Sequence, residues 1–216
     1  MTPDAGVRSR IGVLVSGRGS NLQALIDASQ DGSLGASIAV VISNVADAFA
    51  LERARLAGIA TSVIDHRGYA ARDDFDRAIV EELQQHGVGL VCLAGFMRRL
   101  GRPLLDAFPA AVLNIHPSLL PSFPGLHPQR QALAHGVKVS GVTVHLVTDQ
   151  LDAGPIILQR QVPVQDDDTE ASLAARILVE EHRAYPEAVR QIVSGRWRLE
   201  GGRWARGAGS EGGSSA

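Results

Sequence analysis

Two rhythms of apolar residues alternate along the chain. The first is a short solid run: residues 11–15, 37–42 and 89–94 are largely apolar, and 60–64 is a weaker example. The second recurs at helical spacing, as in Leu22, Leu25 and Ile26, and in Phe75, Ile79 and Leu83 within 71–86. Short runs bounded by turn residues predict strands buried on both faces, and the four-residue recurrence predicts helices with one apolar stripe. Residues 47–57 have helical composition and stop at Gly58, and Gly87 ends the 71–86 helix. The first half thus alternates strand and helix four times, which predicts a parallel sheet covered by helices on both faces.

The second half follows another pattern. Residues 111–115 form a further apolar strand and lead into a segment with Pro117, Pro121, Pro124 and Pro128. So many prolines exclude helix or central strand there and predict a stiff loop. Residues 139–148 alternate, with Val142, Val144 and Leu146 on one face and Thr143, His145 and Val147 on the other. Residues 155–164 read as one more strand, with a bulge. These two strands either pair with each other or join the edge of the main sheet. Residues 169–193 predict a long closing helix, with Asp168 or Thr169 as N-cap and a kink or break at Pro186.

The expected fold class is therefore α/β. A Rossmann-like, mostly parallel central sheet carries helices on both faces, and the C-terminal part adds mixed or antiparallel strands and the closing helix. The expected organisation is a loose arm over 1–9, one domain over 10–200, and a Gly/Ser-rich disordered tail over 201–216. Within the domain, 10–100 would form a phosphate- or nucleotide-binding half and 101–200 the other half.

Composition narrows the function. The chain has 216 residues, enough for one full core, and is 45% hydrophobic and 20% charged. A net charge of −2 offers no bulk attraction to nucleic acid or anionic lipid. Lys138 is the only lysine among 21 basic residues, which reads as coding bias. Cys92 is the single cysteine, so no internal disulfide forms, and a thiol inside an apolar strand is inert. No stretch approaches the roughly 20 apolar residues of a membrane helix, and the first ten residues lack the core of a signal peptide. A cytoplasmic protein without membrane or nucleic-acid partners is expected. Homodimerisation is left open.

Four places carry candidate chemistry. Gly17 and Gly19, in a turn between strand and helix, gather backbone N–H groups at a helix N-terminus, a natural phosphate site. The third glycine of a dinucleotide fingerprint is replaced by Leu22, and Asn44 stands where such an enzyme shows an acid. There is no Lys-Ser/Thr pair for a nucleoside triphosphate. A plain tight turn is the alternative. In the 111–116 strand, Asn114 and His116 are two apart and point to one side at a carboxyl end, where open α/β sheets bind ligands. An amide can donate to an oxyanion and an imidazole can exchange protons near neutrality. A structural Asn–His pair is the alternative. Asp149 and Asp152 follow a strand, in a loop where an acid is usually solvated. Glu181 continues the stripe of Leu173 and Ile177, either as its exposed edge or as a ligand for a polar group. No HExxH motif or Cys/His cluster is present, so no metal site is expected.

Taken in order, these segments resemble one family. Gly17-Arg18-Gly19-Ser20-Asn21-Leu22-Gln23, Ala94-Gly95-Phe96-Met97-Arg98, Asn114-Ile115-His116-Pro117-Ser118-Leu119-Leu120-Pro121, Pro124-Gly125-Leu126-His127 and Asp149-Gln150-Leu151-Asp152-Ala153-Gly154-Pro155 are similar to the motifs of the phosphoribosylglycinamide formyltransferases, folate-dependent enzymes of purine synthesis. The resemblance covers about residues 10–200. It implies formyl transfer from 10-formyltetrahydrofolate, a co-substrate, to the amine of glycinamide ribonucleotide, without metal. It further implies that His116 and Asn114 hold the tetrahedral oxyanion and that Asp152 keeps His116 charged and orders a proton-relaying water. By position, Gly19, Ser20, Asn21 and Glu181 correspond to contacts of the ribonucleotide. Arg72, Met97, Arg98, Arg99, Leu100, Asp149, Gln150 and Leu151 correspond to folate contacts. Leu178 departs from the pattern, being apolar where some relatives place a polar substrate contact.

Three rivals were weighed. The formylase of initiator methionyl-tRNA shares the Asn-x-His theme but carries a further tRNA-binding domain and usually a basic surface. A formyltetrahydrofolate hydrolase would normally carry an added N-terminal domain, which nine loose residues cannot supply. A non-catalytic nucleotide-binding module would keep the Gly17–Gly19 turn without needing Asn114, His116 and Asp152 together.

Overall fold

A computed structural model describes residues 9–206. The expected arm, all but Ser9, and the tail from 207 onward lie outside the described residues. The first half runs β1 (Arg10–Val15), α1 (Ser20–Gln30), β2 (Ser37–Ser43), α2 (Phe49–Leu56), β3 (Ala60–Val63), a 3-10 turn (His66–Gly68), α3 (Arg72–Gln85) and β4 (Leu90–Leu93). The second runs α4 (Arg102–Ala107), β5 (Val112–His116), α5 (Pro128–Ala134), β6 (Val139–Leu146), β7 (Ile156–Pro163), α6 (Glu170–Val193), β8 (Trp197–Glu200) and β9 (Arg203–Arg206).

One seven-stranded sheet has the order β3-β2-β1-β4-β5-β6-β7. The first five strands are mutually parallel, and β6 and β7 run antiparallel at one edge. The solid apolar runs lie in its middle: four consecutive residues of β4 and five of β1 are buried, as expected of strands covered on both sides. Both alternatives for 139–148 and 155–164 hold together, since β6 pairs with β7 and also joins β5. The bulge falls in β7: Val144 pairs Leu158 while His145 pairs Ile156, leaving Ile157 as the extra residue.

Helix α6 closes the fold. Thr169 and Ser172 form a reciprocal capping box at its start. Its buried stripe includes Leu173, Ile177, Glu181, Tyr185 and Val189. Pro186 lies inside the helix, which continues through it to Val193. Tyr185 reaches the sheet and donates to the Leu93 carbonyl at 2.8 Å. Beside it, burial pushes the Cys92 thiol up to about 12, which leaves it protonated and unreactive.

Three elements were not expected. Helices α4 and α5 are only six and seven residues long, each with proline in its first turn, too short for an apolar period to show. The β8–β9 hairpin straddles the boundary drawn at 200, and Trp204 packs against the core. Local glycines mark the turn of this hairpin, and cross-strand pairing rather than composition orders it.

Candidate active site

In the order β1-β4-β5 the chain direction of the parallel strands reverses its winding, and the carboxyl ends of these three strands open onto one edge. At the end of β1 the chain turns through Gly19, which has φ 72° and precedes the first residue of α1. A β-carbon there would also lie 2.6 Å from the Ala50 Cβ, so glycine is required twice over. Helix α2 braces the turn. Ala50 N–H donates to the Gly17 carbonyl at 3.0 Å, and Arg53 donates to the Arg18 carbonyl at 2.9 Å and to Gln23 Oε1 at 3.0 Å. No side chain caps α1, and its first turn has no acid. The free N–H groups and the positive helix end therefore suit an anion.

Asn21 and Glu181 meet beside this turn, Nδ2 to Oε2 at 3.3 Å. Asn21 Oδ1 is buried without a partner. Glu181 is 7% exposed, and burial raises its pKa, opposed by the Asn21 hydrogen bond. Asn44, at the end of β2, is engaged internally. It accepts from Ser16 Oγ at 2.6 Å and its amide faces His66 Nδ1 at 3.3 Å.

The second cluster grows from β5 and β6. Asn114 pairs in register with His145, and His116 with Thr143, so all four side chains share one face. Asp152, at φ 48° in the loop between β6 and β7, reaches the same place. Its Oδ2 lies 3.5 Å from His116 Nδ1 and accepts the Gly125 N–H at 2.8 Å, and its Oδ1 lies 3.8 Å from His145 Nε2. His116 and Asp152 are both buried. The other ring nitrogen of His116, Nε2, sits 2.9 Å from the Phe123 carbonyl. A carbonyl only accepts, so Nε2 carries a proton and Nδ1 is the nitrogen left between Asp152 and the cavity.

The two histidines of this face are set differently. His145 Nδ1 donates to the Leu146 carbonyl at 3.0 Å, which leaves Nε2 to accept the Asn114 amide at 3.2 Å. Burial lowers the His145 pKa, while the Leu146 carbonyl and Asp152 pull it upward and His116 pushes it down. Neutral His145 thus orients Asn114, with the second amide hydrogen directed elsewhere. Reading the residues alone put His145 on a strand face but did not join it to Asn114. Only the β5–β6 register does so.

The proline-rich loop is bolted down from beneath. Buried Ser118 donates to the Ser122 carbonyl at 2.5 Å. Thr143 Oγ1 donates to the Ser118 carbonyl at 2.7 Å and accepts from Leu120 N–H at 3.0 Å, and Gln159 donates to the Leu120 carbonyl at 2.8 Å. These bonds aim the Phe123 carbonyl at His116.

A cavity of about 340 Å³ opens at the second cluster, within the size range of small-molecule sites. Asn114, His116 and Asp152 line it together with Met97, Arg98, Arg99 and Leu100 on one wall and Asp149, Gln150 and Leu151 on another. Arg102 and Asp149 pair across the rim at 3.3 Å. Arg72 is not on its wall; its guanidinium lies near Gly101, 3.2 Å from where a β-carbon there would stand. Gly19, Asn21 and Glu181 lie to one side at the α1 N-terminus, and Ser20 lines a shallow groove between α1 and α6. Among the described residues no group of three or more His, Cys, Asp or Glu is placed to hold a metal ion, and no helix is long and apolar enough to cross a membrane.

A Rossmann-like sheet carries an Asn, a His and an Asp converging on a cavity, with a glycine turn at a helix N-terminus to one side. The model of the formyl transferase family, "Formyl transferase", matches residues 9–189, and the chain belongs to that family. The resemblance read from the motifs is borne out more narrowly. The chain is 46% identical over 196 residues to the phosphoribosylglycinamide formyltransferase of Escherichia coli (strain K12), covering 90% of this chain and 92% of that one. It is 48% identical over 192 residues to the trifunctional purine biosynthetic protein adenosine-3 of Homo sapiens, covering 89% of this chain but 19% of that protein. Among solved structures, glycinamide ribonucleotide transformylase 1 from Symbiobacterium toebii superposes with a TM-score of 0.91 at 56% identity, covering 93% of this chain and 95% of that one.

Proposed function

We propose that this protein transfers the formyl group of 10-formyltetrahydrofolate to the primary amine of glycinamide ribonucleotide. The observation that carries the reading is the wall of Asn114, buried His116 and Asp152, held by polar partners and facing one cavity. The amine attacks the formyl carbon and a C–N bond forms. The carbonyl oxygen becomes an oxyanion, and the bond to the folate nitrogen then breaks as a proton passes from the amine to that nitrogen. The Nδ1–H of His116 is the donor available to the oxyanion, because Nε2 is held by the Phe123 carbonyl. Asn114 supplies a second donor through the amide hydrogen that His145 does not take. Asp152, 3.5 Å from Nδ1, orders the water that relays the proton. No covalent enzyme intermediate is needed; positioning and oxyanion stabilisation supply the rate.

In the same reading the α1 N-terminus at Gly19, Ser20 and Asn21 takes the phosphate, and Glu181 takes the ribose or the glycinamide. Residues 97–100 and 149–151 enclose the folate. The test is a formyl-transfer assay offering glycinamide ribonucleotide and initiator methionyl-tRNA as competing acceptors. Transfer to the ribonucleotide alone supports the reading; transfer to tRNA, or binding without transfer, refutes it.

A further inference from the structure

The cavity wall at 97–100 belongs to an irregular segment that runs from β4 to α4. It has no ladder of its own, and Met97 is 71% exposed. Its two ends are nevertheless each held by a side chain from a different element. Met97 N–H donates to Ser16 Oγ at 2.8 Å, and Gly101 N–H donates to Asp76 Oδ2 at 2.5 Å. We propose that Ser16 and Asp76 are positioning residues that set this wall of the folate pocket by pinning it at both ends. This inference rests on the reading that the segment contacts folate.

Ser16 stands one residue before the phosphate turn, so its place in the chain assigns it to the other substrate. Its hydroxyl has a single proton, and that proton goes to Asn44 Oδ1 at 2.6 Å. A lone pair is thereby aimed at Met97 N–H. Asn44 is itself oriented by His66. The anchor is thus built from the ends of β1 and β2 and from the turn after β3.

Asp76 is the more unusual group. It is fully buried on α3, and its second oxygen, Oδ1, has no hydrogen-bond partner. A buried carboxylate with an idle oxygen is expensive if its only task is one hydrogen bond. An amide would do that task without a charge. Burial raises the Asp76 pKa, opposed by the Gly101 hydrogen bond and by the nearby guanidinium groups of Arg72 and Arg98. Gly101 makes the approach possible: a β-carbon there would lie 2.8 Å from Asp76 Oδ2 and 3.2 Å from Arg72 Nε. The Phe96 ring stacks parallel to Phe75, the neighbour of Asp76 on α3, at 6.5 Å. The segment is therefore seated on α3 by an apolar contact as well as by the carboxylate.

The experiment compares Ser16→Ala, Asp76→Ala, Asp76→Asn and Gly101→Ala in the full chain. Michaelis constants are measured for both substrates. Hydrogen exchange of 95–101 is followed with and without 5,8-dideazafolate, a folate that carries no formyl group. Asp76→Ala is expected to raise the 10-formyltetrahydrofolate KM about tenfold and Ser16→Ala several-fold, with the ribonucleotide KM within about twofold. Asp76→Asn keeps an acceptor for Gly101 N–H and recovers most of that loss. If Asp76→Ala does not accumulate, Ser16→Ala and Gly101→Ala carry the same split. A parallel rise of both KM values, or lower stability at unchanged folate KM, overturns the proposal. Absence of ligand protection over 95–101 in the unaltered protein would sink the folate reading itself. Protection equal in all variants would sink only the two anchoring roles.

Discussion

The phosphate turn and the wall of Asn114, His116 and Asp152 lie at the same edge of one sheet, yet different groups shape them. Around Gly17 and Gly19 the donors on offer are backbone N–H groups at a helix end, and the side chains matter mainly by being absent or small. Around His116 the ligand-facing groups are side chains, each fixed by a second polar group: His145 for Asn114, the Phe123 carbonyl for His116, Gly125 N–H for Asp152. The first site is local, since a turn and a helix end suffice. The second is assembled from β5, β6, the proline-rich loop and the loop before β7. A local site should fail through shape, and an assembled one through the loss of any single partner.

The comparison is broken most severely at His116 and Asp152. His116→Ala or Asp152→Asn is expected to lower kcat by about 10²–10⁴-fold with the fold unchanged by circular dichroism. Near-normal turnover in either variant would remove the assembled site from the mechanism. Next comes Gly19→Ala, which adds a β-carbon in left-handed backbone against Ala50. It should raise the ribonucleotide KM by about tenfold or more while the folate KM holds, a loss of order 1–3 kcal/mol. Equal loss of both substrates would show that the turn is not a separate site. His145→Ala removes the acceptor that orients Asn114 and is expected to lower kcat about tenfold. If kcat is unchanged, Asn114 is oriented by something else.

The smallest effects are in pH-dependent stability, and the two regions should differ in sign. Burial raises Glu181 above its ordinary value of 4.5, so the folded protein holds that proton more tightly than the unfolded chain. Stability then falls as pH rises from about 4.5 through the raised folded value, and Glu181→Gln should remove the fall. Burial lowers His145 below 6.5, so the unfolded chain takes up its proton first. Stability is therefore full above about 6.5 and falls as pH drops toward the lowered folded value. Melting temperatures measured from pH 4.5 to 8 in the two single variants separate the contributions; matching slopes would contradict the assignment.

Much of the fold was legible because its signals are local. The run 11–15 and the Phe75, Ile79, Leu83 stripe became β1 and α3 with boundaries shifted by a residue or so. The same holds for the long helix from Thr169, whose cap lies in adjacent residues. The β8–β9 hairpin was not legible, because the glycines that read as disorder form its turn. At the site, the one-face placement of Asn114 and His116 followed from the two-residue strand period. Asp152 was joined to His116 only by resemblance, since 35 residues, including α5 and β6, separate them, and no periodicity spans that distance. Arg72 corresponds by position to a folate contact but is not among the residues that line the cavity.

By itself the sequence determined the alternation of strand and helix, the burial of the parallel strands, the glycine turn before α1 and the placement of Asn114 and His116 on one strand face. Each is encoded within a few residues by turn chemistry or by a period of two or 3.6. Only the tertiary structure decided that His145 orients Asn114, that Phe123 fixes the ring of His116, and that Ser16 reaches the Met97 N–H. Each of these is a hydrogen bond between residues distant in the chain. Its existence depends on strand order and register, which the whole core sets and no short window of residues contains.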